Sequence, residues 1–473
     1  MNIWDQEQVH FQKNIIILGF GSIGQGVLPL LFRHLDIDRR QVLIIAADEQ
    51  GKVIAEKYGV SFRCLVITRD NYQAFLATVL TAGDFLVNLS INVGSLELLE
   101  LCAENGVLYI DTSIEVWEGD YTDTTLSASQ RSNYALREGA LQLKERYKNG
   151  PTAVIAHGAN PGLVCHFVKQ ALLNMAADND IATAVPLSRH EWARLSRNLG
   201  IKTIHIAERD TQVAVPRKRP GEFVNTWSVD GLIGESCQPA ELGWGSHEKF
   251  LPLDASRHDF GCQAAIFLDR PGAATSVRTW LPLAGPQIGF LISHNESISL
   301  ADYLTIGSGQ KPEYRPTVHY AYHPSDDTVL SLYELQERNW QPQEKLRLIT
   351  EEIVTGIDEL GVLLMGNKKG AYWYGSRLSI EEARDLAPHN TATSLQVTAG
   401  VLAGMIWAMR HPQRGIVEPE EMDFDEVMAI ASPYLGKMIG VYSDWTPLKN
   451  RSAMFPEDLD REDVWQFKNF RII

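Results

Sequence analysis

Three glycines near the start of the chain have the spacing of a dinucleotide-binding turn. Gly19, Gly21 and Gly24 fall on a G-x-G-x-x-G pattern directly after the β-branched run at residues 15–18. In such a turn the first glycine permits the tight bend, the second lets backbone N–H groups approach a pyrophosphate, and the third lets helix and strand pack closely. A tight glycine turn can also form without a ligand, but here a helical apolar stripe and a second buried strand follow it. The pattern therefore predicts a dinucleotide site.

Asp48 follows that second strand, predicted over residues 42–47, and indicates which dinucleotide binds. A carboxylate at this point accepts hydrogen bonds from the adenine-ribose hydroxyls and repels a 2′-phosphate. Arg39 and Arg40 precede the strand, so they are poorly placed to bind such a phosphate. We therefore expect NAD rather than NADP, with Glu49 as the next candidate for the ribose contact.

Polar side chains also end the later buried strands, which we predict over residues 84–90, 107–112 and 152–157. In a doubly wound sheet, ligands bind beyond the carboxyl ends of the strands, so these side chains are candidates for ligand contacts. Any one of them alone is more often a cap or a turn former. With the glycine turn they form the predicted cofactor-binding set: Gly19, Gly21, Ser22, Ile23, Gly24, Asp48, Asn88, Ser90, Asp111 and Thr112.

A second group of residues suits the binding of cations. Carboxylates, aromatic residues and one histidine recur through the middle of the chain: Glu208, Trp227, Asp230, Glu235, Glu241, Trp244, His294, Glu296, Asp358 and Glu359. Carboxylates hold an ammonium group by charge-assisted hydrogen bonds, and a tryptophan face holds one by cation–π attraction. Surface acids and core tryptophans are the commoner explanation for any single residue. His294 and Glu296, two apart on a predicted strand, would share a face, so His294 could act as a general base with Glu296 as its partner.

The elements that must position these residues fall into two sheets. The early strands run continuously apolar, as buried parallel strands do, whereas later segments such as residues 201–208 and 317–322 alternate, which indicates antiparallel strands with one packed and one open face. We predict an α/β fold: a Rossmann-type doubly wound parallel sheet with an inserted α+β substrate domain built on a largely antiparallel sheet. The predicted domains are 1–173, 174–385 and 386–473, the last a helical segment that returns to the first.

Composition restricts the functional class. The chain of 473 residues is 45% hydrophobic and 22% charged, which is typical of a folded protein with two or three domains. Its net charge of −16 disfavours nucleic acid and favours cationic small molecules. Five scattered cysteines without zinc-like spacing predict a reduced, cytoplasmic protein with neither structural disulfide nor metal site. We expect no signal peptide and no apolar run of membrane-spanning length, and no nucleophile motif competes with hydride transfer.

Five stretches are more specific than the glycine turn: ILGFGSIGQGVLPLL, VLYIDTSIEVWEG, HGANPGLVCHFVKQAL, NTWSVDGLIGE and SHNES. Together they resemble the bacterial homospermidine synthases, within the saccharopine dehydrogenase-like group, over nearly the whole chain. The resemblance implies a homodimeric enzyme that joins two putrescine molecules, or putrescine and spermidine, into sym-homospermidine, with release of ammonia or 1,3-diaminopropane. It implies NAD-dependent oxidation to an imine, transimination, and re-reduction by the NADH that stays bound.

The resemblance also implies roles for single residues. Trp227 would be a cation–π platform, Asn160 would orient groups near the nicotinamide, and Glu115 would be a carboxylate at the inner end of the site. The implied ammonium anchors are Glu208, Glu235, Glu296 and Asp358. His294 would be a polar or acid–base residue, and whether Glu235, His294 or water transfers the proton stays open. At Asn92 the family pattern tends to have an acid, so this substrate-binding position is a departure.

Two alternatives remain at this point. A saccharopine- or carboxyspermidine-type dehydrogenase would release NAD(P)H and bind an amino-acid imine, and its α-carboxylate substrate would require converging arginines in the second domain. Of the arginines there, Arg209 alone adjoins a candidate position, Glu208. A protein that senses polyamines or NAD without catalysis is the other alternative.

Overall fold

The computed structural model describes residues 8–123 and 125–472 of the chain. Strands and helices alternate in the first third, as the switch between continuous apolar runs and helical apolar stripes predicts. The elements are β1 Val9–His10, β2 Ile15–Leu18, α1 Ser22–His34, β3 Leu35–Asp36, β4 Val42–Ala46, α2 Lys52–Tyr58, β5 Ser61–Cys64, α3 Tyr72–Leu76, β6 Phe85–Asn88, α4 Ser95–Asn105, β7 Leu108–Asp111, α5 Asn133–Arg146, β8 Ala153–Val154 and α6 Leu163–Asp178.

The middle of the chain is richer in strands. Its elements are α7 Arg189–Asn198, β9 Thr203–Asp210, β10 Val213–Ala214, β11 Glu222–Asn225, α8 Val229–Cys237, β12 Pro239–Gly243, β13 Ala255–Arg257, β14 Ala265–Pro271, β15 Ser276–Leu281, β16 Gly285–Phe290, α9 Asn295–Tyr303, β17 Thr317–His323, α10 Asp326–Glu337, β18 Lys345–Leu348, β19 Ile353–Thr355, β20 Ile357–Met365, β21 Ala371–Ser379 and α11 Ile380–Leu386. The chain ends with α12 Ala392–Arg410, β22 Ile416–Val417, α13 Phe424–Ala431, β23 Lys437–Ser443, α14 Phe467–Phe470 and β24 Arg471–Ile472.

Seven strands form a parallel sheet in the order β22–β8–β7–β6–β2–β4–β5. All of its neighbouring pairs are parallel. β2, β6 and β7 are buried along their whole length, as strands covered by helices on both faces are. The chain leaves β2 toward β4 and β5 and then crosses to β6 on the other side, and such a switch point leaves a crevice at the carboxyl ends. The predicted Rossmann-type sheet is confirmed.

The second sheet contains eleven strands, with β17–β9–β20–β21 at its centre. β17 and β9 pair in parallel, and the other described pairs are antiparallel, so the predicted largely antiparallel sheet is confirmed. The expectation of one open face is wrong for β9 and β17, which are buried on both faces. Helices α6 and α9 cover one face of the sheet, and β15 folds over the other. Both faces of the central strands are therefore covered.

The C-terminal segment contributes to both sheets. β22 extends the parallel sheet, whereas β23 and β24 belong to the second sheet. The predicted division into 1–173, 174–385 and 386–473 stays a prediction, and residues 1–7 of its first part lie outside the described residues.

Helix α12 is the central core helix and packs against α1 and α13. It is long and apolar enough to span a membrane by length and composition, so the expectation that no apolar run reaches that length is wrong here. Its most apolar window is 89% buried inside the protein. A helix that is apolar on all sides is buried in this way when it lies between packed layers.

Candidate active site

A cleft lies at the carboxyl ends of β6 and β7, where the two sheets face each other. The empty space in and around its mouth, open solvent included, is about 800 Å³. Aromatic and apolar side chains line it together with three carboxyl groups, from Glu115, Glu208 and Glu235. Among the described residues that line the cleft, there is no lysine or arginine. The cleft therefore suits a cationic ligand.

The glycine turn has the geometry that a pyrophosphate needs. Gly19 has a φ of 85°, and a Cβ added there would lie 2.5 Å from the carbonyl oxygen of Leu89. A Cβ on Gly24 would lie 2.7 Å from the carbonyl oxygen of Gly19, so helix and strand are in close contact. Gly21 has open space where a Cβ would be, so a phosphate could approach its backbone. Ile23, one residue into α1, lines the cleft.

Asp48 lies two residues beyond β4 and is exposed. One of its carboxylate oxygens accepts a hydrogen bond from the backbone N–H of Gln50 at 2.8 Å, which orients the carboxylate. Position and exposure both fit a contact with the ribose of a dinucleotide. The residues present therefore fit NAD.

The four strand-end candidates of the cofactor set separate into two kinds. Ser90 and Thr112 line the cleft. Asn88 and Asp111 are buried behind it and are joined through the hydroxyl of Tyr109, which donates to Asp111 at 2.8 Å and accepts from Asn88 at 3.3 Å. Burial raises the pKa of Asp111 to about 7. These two side chains shape the crevice floor rather than face the cleft.

Three buried acids, which we call the sheet-side acids, lie together on the central strands of the second sheet: Glu208, Asp210 and Asp358. Glu208 and Asp210 are two apart on β9 and so share a face, and Asp358 on β20 is the direct cross-strand partner of Asp210. Each is at most 1% exposed. Glu208 is the sheet-side acid that lines the cleft.

Glu208 is held by two donors. The side-chain amide of Asn160 donates to its Oε2 at 2.7 Å, and the hydroxyl of Tyr320 donates to the same oxygen. Burial raises the pKa of Glu208 to about 7, although these two hydrogen bonds favour the ionised form. Asn160 and Glu208, predicted from distant parts of the sequence, are thus in direct contact.

His294 lies between two carboxylates, Glu235 near the end of α8 and Glu296 at the start of α9. We call these three residues the helix-side triad. Its Nε2 is 3.2 Å from Oε2 of Glu235 on α8, and its Nδ1 is 3.2 Å from Oε1 of Glu296 on α9. Burial opposes the charged imidazolium, but the two carboxylates outweigh it and raise the pKa of His294 to about 10. The imidazole is therefore protonated at neutral pH.

The contact between His294 and Glu296 has a different origin from the one expected. A shared strand was predicted, but His294 is the N-cap of α9 and Glu296 is in its first turn. The strand assignment is wrong because β16 ends at Phe290 and the chain turns into a helix. Glu296 is fully buried behind His294, with its Oε2 free of well-formed hydrogen bonds from the described residues.

Trp227 is half-buried and lines the cleft in the loop between β11 and α8. The Ser22 hydroxyl donates to the Trp227 carbonyl, which ties this loop directly to the first turn of α1. Ser228 caps α8 by accepting from the backbone N–H of Gly231 at 3.1 Å. The indole lies beside the hydroxyl of Tyr322. Ser22 thus links the glycine turn to the loop with the tryptophan.

Glu115 lines the cleft on the side of the helix-side triad. The Ser113 hydroxyl donates to it at 2.8 Å. Burial raises its pKa to about 7, and the negative charge of Glu235 contributes to that rise. Asn92 is exposed, adopts a left-handed φ of 61°, and offers its backbone N–H to Glu115. Its side chain is not among the described side chains that line the cleft.

Sequence reasoning missed the two tyrosines of β17 and the acid Asp210. Tyr320 and Tyr322 stack with ring centroids 5.1 Å apart, and the Tyr320 ring is 4.5 Å from that of His294. Tyr320 therefore touches both Glu208 and the helix-side triad. The available signal was the alternation TVHYAY, which places both rings on one face of a strand.

Comparisons with known proteins agree over nearly the whole chain. Residues 15–154 match the saccharopine dehydrogenase NADP binding domain, and residues 158–442 match the saccharopine dehydrogenase C-terminal domain. The chain is 53% identical to the homospermidine synthase of Blastochloris viridis, over 96% of each chain. It is 49% identical to that of Mesorhizobium japonicum, over 97% of this chain and 96% of the relative. The chain belongs to the homospermidine synthase family.

A solved structure of this family supports the same conclusion. The homospermidine synthase of Legionella pneumophila, in complex with NAD, is 52% identical and superimposes with a TM-score of 0.92 over 98% of this chain and 99% of that one. The predicted resemblance to bacterial homospermidine synthases is therefore confirmed. Such high identity across both sheets means that the family's fold extends to the whole cleft.

Proposed function

We propose that this protein is a homospermidine synthase that uses NAD. It joins two putrescine molecules, or putrescine and spermidine, into sym-homospermidine, with release of ammonia or 1,3-diaminopropane. One observation carries the proposal beyond family membership. Three carboxyl groups, a tryptophan and the His294 imidazolium line the cleft, so acidic groups outnumber the one basic group, and no described lysine or arginine lines it. A diamine carries a positive ammonium group at each end, which is the opposite of the charge of these carboxylates.

The cleft residues divide the work of binding. Glu208, oriented by Asn160 and Tyr320, accepts hydrogen bonds from one ammonium group of the substrate. The indole face of Trp227 stabilises the cationic imine by cation–π attraction, which is stronger where water is excluded. Glu115 and Glu235 provide negative charge for the second amine.

The helix-side triad provides the proton. His294 enters the reaction as an imidazolium because its pKa is raised to about 10 by the two carboxylates beside it. It therefore donates a proton to the leaving amine, rather than acting first as the general base that its type suggests. Glu296 holds the ring from behind through Nδ1, and Glu235 faces Nε2 at the cleft. The structure thus favours His294, within this proposal, over Glu235 or water as the proton donor.

The glycine turn, Ser90, Thr112 and Asp48 would hold the cofactor. Backbone N–H groups at Gly21 and the start of α1 would hold the pyrophosphate, and Asp48 would bind the adenine ribose and reject a 2′-phosphate. When bound, NAD supplies a hydride acceptor for the amine-bearing carbon and, once reduced, the hydride donor for the new imine. Net oxidation is therefore zero, and the protein must retain the cofactor between the two steps.

An amino-acid dehydrogenase is the weaker alternative. Its α-carboxylate substrate needs arginines at the cleft, but two arginines near the second sheet each bind an acid outside the cleft. Arg209 donates to Asp326 at 2.9 Å, and Arg217 donates to Asp327 at 2.8 Å. Neither lines the cleft.

Incubation of the purified protein with putrescine and NAD distinguishes the functions. We expect a triamine and ammonia in equal amounts, with no net accumulation of NADH. Net NADH formation without a triamine would indicate a dehydrogenase, and binding without turnover would indicate a sensor. Ammonia release should be measured alongside absorbance, because a recycled cofactor gives no steady spectroscopic signal.

We also propose that the protein is a cytoplasmic homodimer. Support for the dimer comes from the family resemblance, and support for the location comes from the scattered cysteines. Light scattering of the purified protein with and without NAD would measure the mass, and a monomer under both conditions would contradict the proposal.

A further inference from the structure

The sheet-side acids place three carboxyl groups close together. The positive charges of His294 and Arg209 act on Glu208 and Asp210, whereas the described groups that act on Asp358 include no cation. Asp358 is 0% exposed, and neither of its oxygens meets a well-formed hydrogen bond from the described residues. Thr393 and Glu208 lie beside it. A fully buried carboxylate without donors is very unfavourable, so this group requires a specific explanation.

Its cross-strand partner is in the opposite situation. Asp210 accepts hydrogen bonds from the backbone N–H of Gln212 at 2.7 Å, from the Gln212 side chain at 3.1 Å and from the Thr226 hydroxyl at 2.8 Å. Burial raises the pKa of Asp210, but these three donors favour its ionised form, and Asp358 has no comparable set. Glu208, with donors from Asn160 and Tyr320, is likewise arranged as an acceptor.

The described groups that face Asp358 supply no positive charge. Asp210 and Glu208 face it from β9, Tyr322 faces it from β17, and Thr393 faces it from α12. Burial raises the pKa of Asp358 well above its usual value, and the negative charges of Glu208 and Asp210 raise it further. Two adjacent carboxyls in such a place cannot both be ionised, and one keeps a proton.

We infer that Asp358 is the protonated member of the three and donates its proton in a hydrogen bond to Glu208. Asp358 is then a positioning residue that acts through Glu208, not an ammonium anchor. It does not line the cleft, which agrees with this assignment. The inference rests on the proposed function only for its kinetic consequences, because the protonation state belongs to the free protein.

This arrangement fixes the charge that the substrate meets. Asp358, Tyr320 and Asn160 would hold Glu208 by three donors, leaving its remaining lone pairs for one ammonium group. A neutral Asp358 also keeps a third negative charge out of the sheet, so the site binds one cation at this end.

The test compares the same substitution at two cross-strand partners, Asp358→Asn and Asp210→Asn. Asparagine at 358 retains a donor to Glu208, so we expect kcat/KM for putrescine to stay within about threefold of the parent. Asparagine at 210 turns an NH₂ or a neutral oxygen toward donors that need a carboxylate, so we expect a loss of at least about tenfold. Asp358→Ala removes the donor and should lower kcat/KM more than Asp358→Asn does. Activity that is retained in the asparagine variant but lost in the alanine variant would show that the donor is what matters.

Infrared difference spectra test the proton directly in the protein without substrate. The carbonyl-stretching band of a protonated carboxyl should be present in the parent and in Asp210→Asn, and one such band should be lost in Asp358→Asn. Superimposable parent and Asp358→Asn spectra in that region would overturn the inference, as would a loss in Asp358→Asn equal to that of Glu208→Gln. If the parent forms no triamine at all, the proposed function fails while the infrared result still decides the protonation state.

Discussion

The sheet-side acids and the helix-side triad contain similar carboxyl groups but differ in whether a positive side chain lies between them. Glu235 and Glu296 lie on either side of the His294 imidazolium, which compensates one of their two negative charges within the protein. Glu208 has polar donors and acidic neighbours but no described lysine or arginine within ion-pair distance. The first arrangement holds a proton in place, and the second leaves a negative charge that a cationic ligand neutralises.

The difference follows from where each group sits in the fold. The sheet-side acids lie on adjacent strands, where alternation places them on one face, so they crowd together. The helix-side triad forms where α9 begins, and its N-cap geometry turns His294 toward α8. Tyr320 connects the two arrangements, because its hydroxyl donates to Glu208 and its ring packs near that of His294.

The largest effect should come from the uncompensated side. Glu208→Gln removes the charge that meets the ammonium group, and loss of a buried charge partner should lower kcat/KM by about a hundredfold or more. Steady-state kinetics with putrescine measure it. Glu359→Gln is the matched control, because that acid is the next residue to Asp358 yet pairs with Arg377 at 2.8 Å and does not line the cleft. Equal losses in the two variants would remove the distinction we draw.

Substitution in the helix-side triad should affect kcat rather than binding. His294→Gln removes the proton donor, so we expect kcat to fall by about a hundredfold with a smaller change in KM. Kinetics with a substrate whose leaving amine is already activated should restore part of the rate. An unchanged kcat would mean that water or Glu235 donates the proton.

Stability against pH checks the charge state of His294 independently. Its pKa is raised from 6.5 to about 10, so its pairing contributes fully below pH 6.5 and is lost as pH rises toward 10. The stability difference between the parent and His294→Gln in urea unfolding should therefore shrink between those limits. A constant difference would contradict a cationic imidazole.

Trp227 sharpens the comparison because it lines the same cleft as Glu208 of the sheet-side acids and His294 of the helix-side triad. A desolvated cation–π contact contributes about 2 kcal/mol, so Trp227→Leu should lower kcat/KM about thirtyfold. Trp227→Phe retains an aromatic face and should lose about threefold. Trp244→Phe, in the buried core around β12, is the control for loss of indole volume alone. Equal activities of the Phe and Leu variants at 227 would refute the cation–π role.

An effect smaller than that of Trp227→Leu concerns the cofactor and should leave both acid groups unchanged. Asp48→Ser removes a charge-assisted contact to the ribose, so we expect NAD affinity to fall about fivefold to tenfold and discrimination against NADP to weaken. Calorimetry with each dinucleotide measures both. Glu49→Gln is the control, since its carboxylate pairs with Lys52 on the surface. If the preference changes only in Glu49→Gln, the ribose ligand is Glu49.

The elements with a strong local signal could be predicted from the sequence. The glycine turn and the buried parallel strands depend on glycine geometry and on runs of β-branched residues, which act locally. Trp227, Glu208 and His294 could be selected because acids and aromatic rings suit a polyamine. Their pairing was less accessible, because Asn160 and Glu208 meet only when β9 is placed opposite the loop that begins α6.

The remaining features depend on packing that no local pattern encodes. Asp210 and Asp358 are neighbours only in the register of β9 with β20, and β20 was not predicted as a strand. The covered face of the second sheet depends on β15, which folds back over strands far from it in sequence. Such contacts decide which acids are paired, so the charge difference between the two groups could be seen only in the structure.

One measurement tests the central claim, that a diamine is oxidised and the new imine reduced without release of the cofactor. The protein is incubated with NAD, an excess of unlabelled NADH, and putrescine that carries deuterium on both amine-bearing carbons. The mass of the product is then measured by mass spectrometry. We predict a triamine that retains all of the deuterium of its donor half. Loss of one deuterium from that half, or the absence of a triamine, would contradict the account.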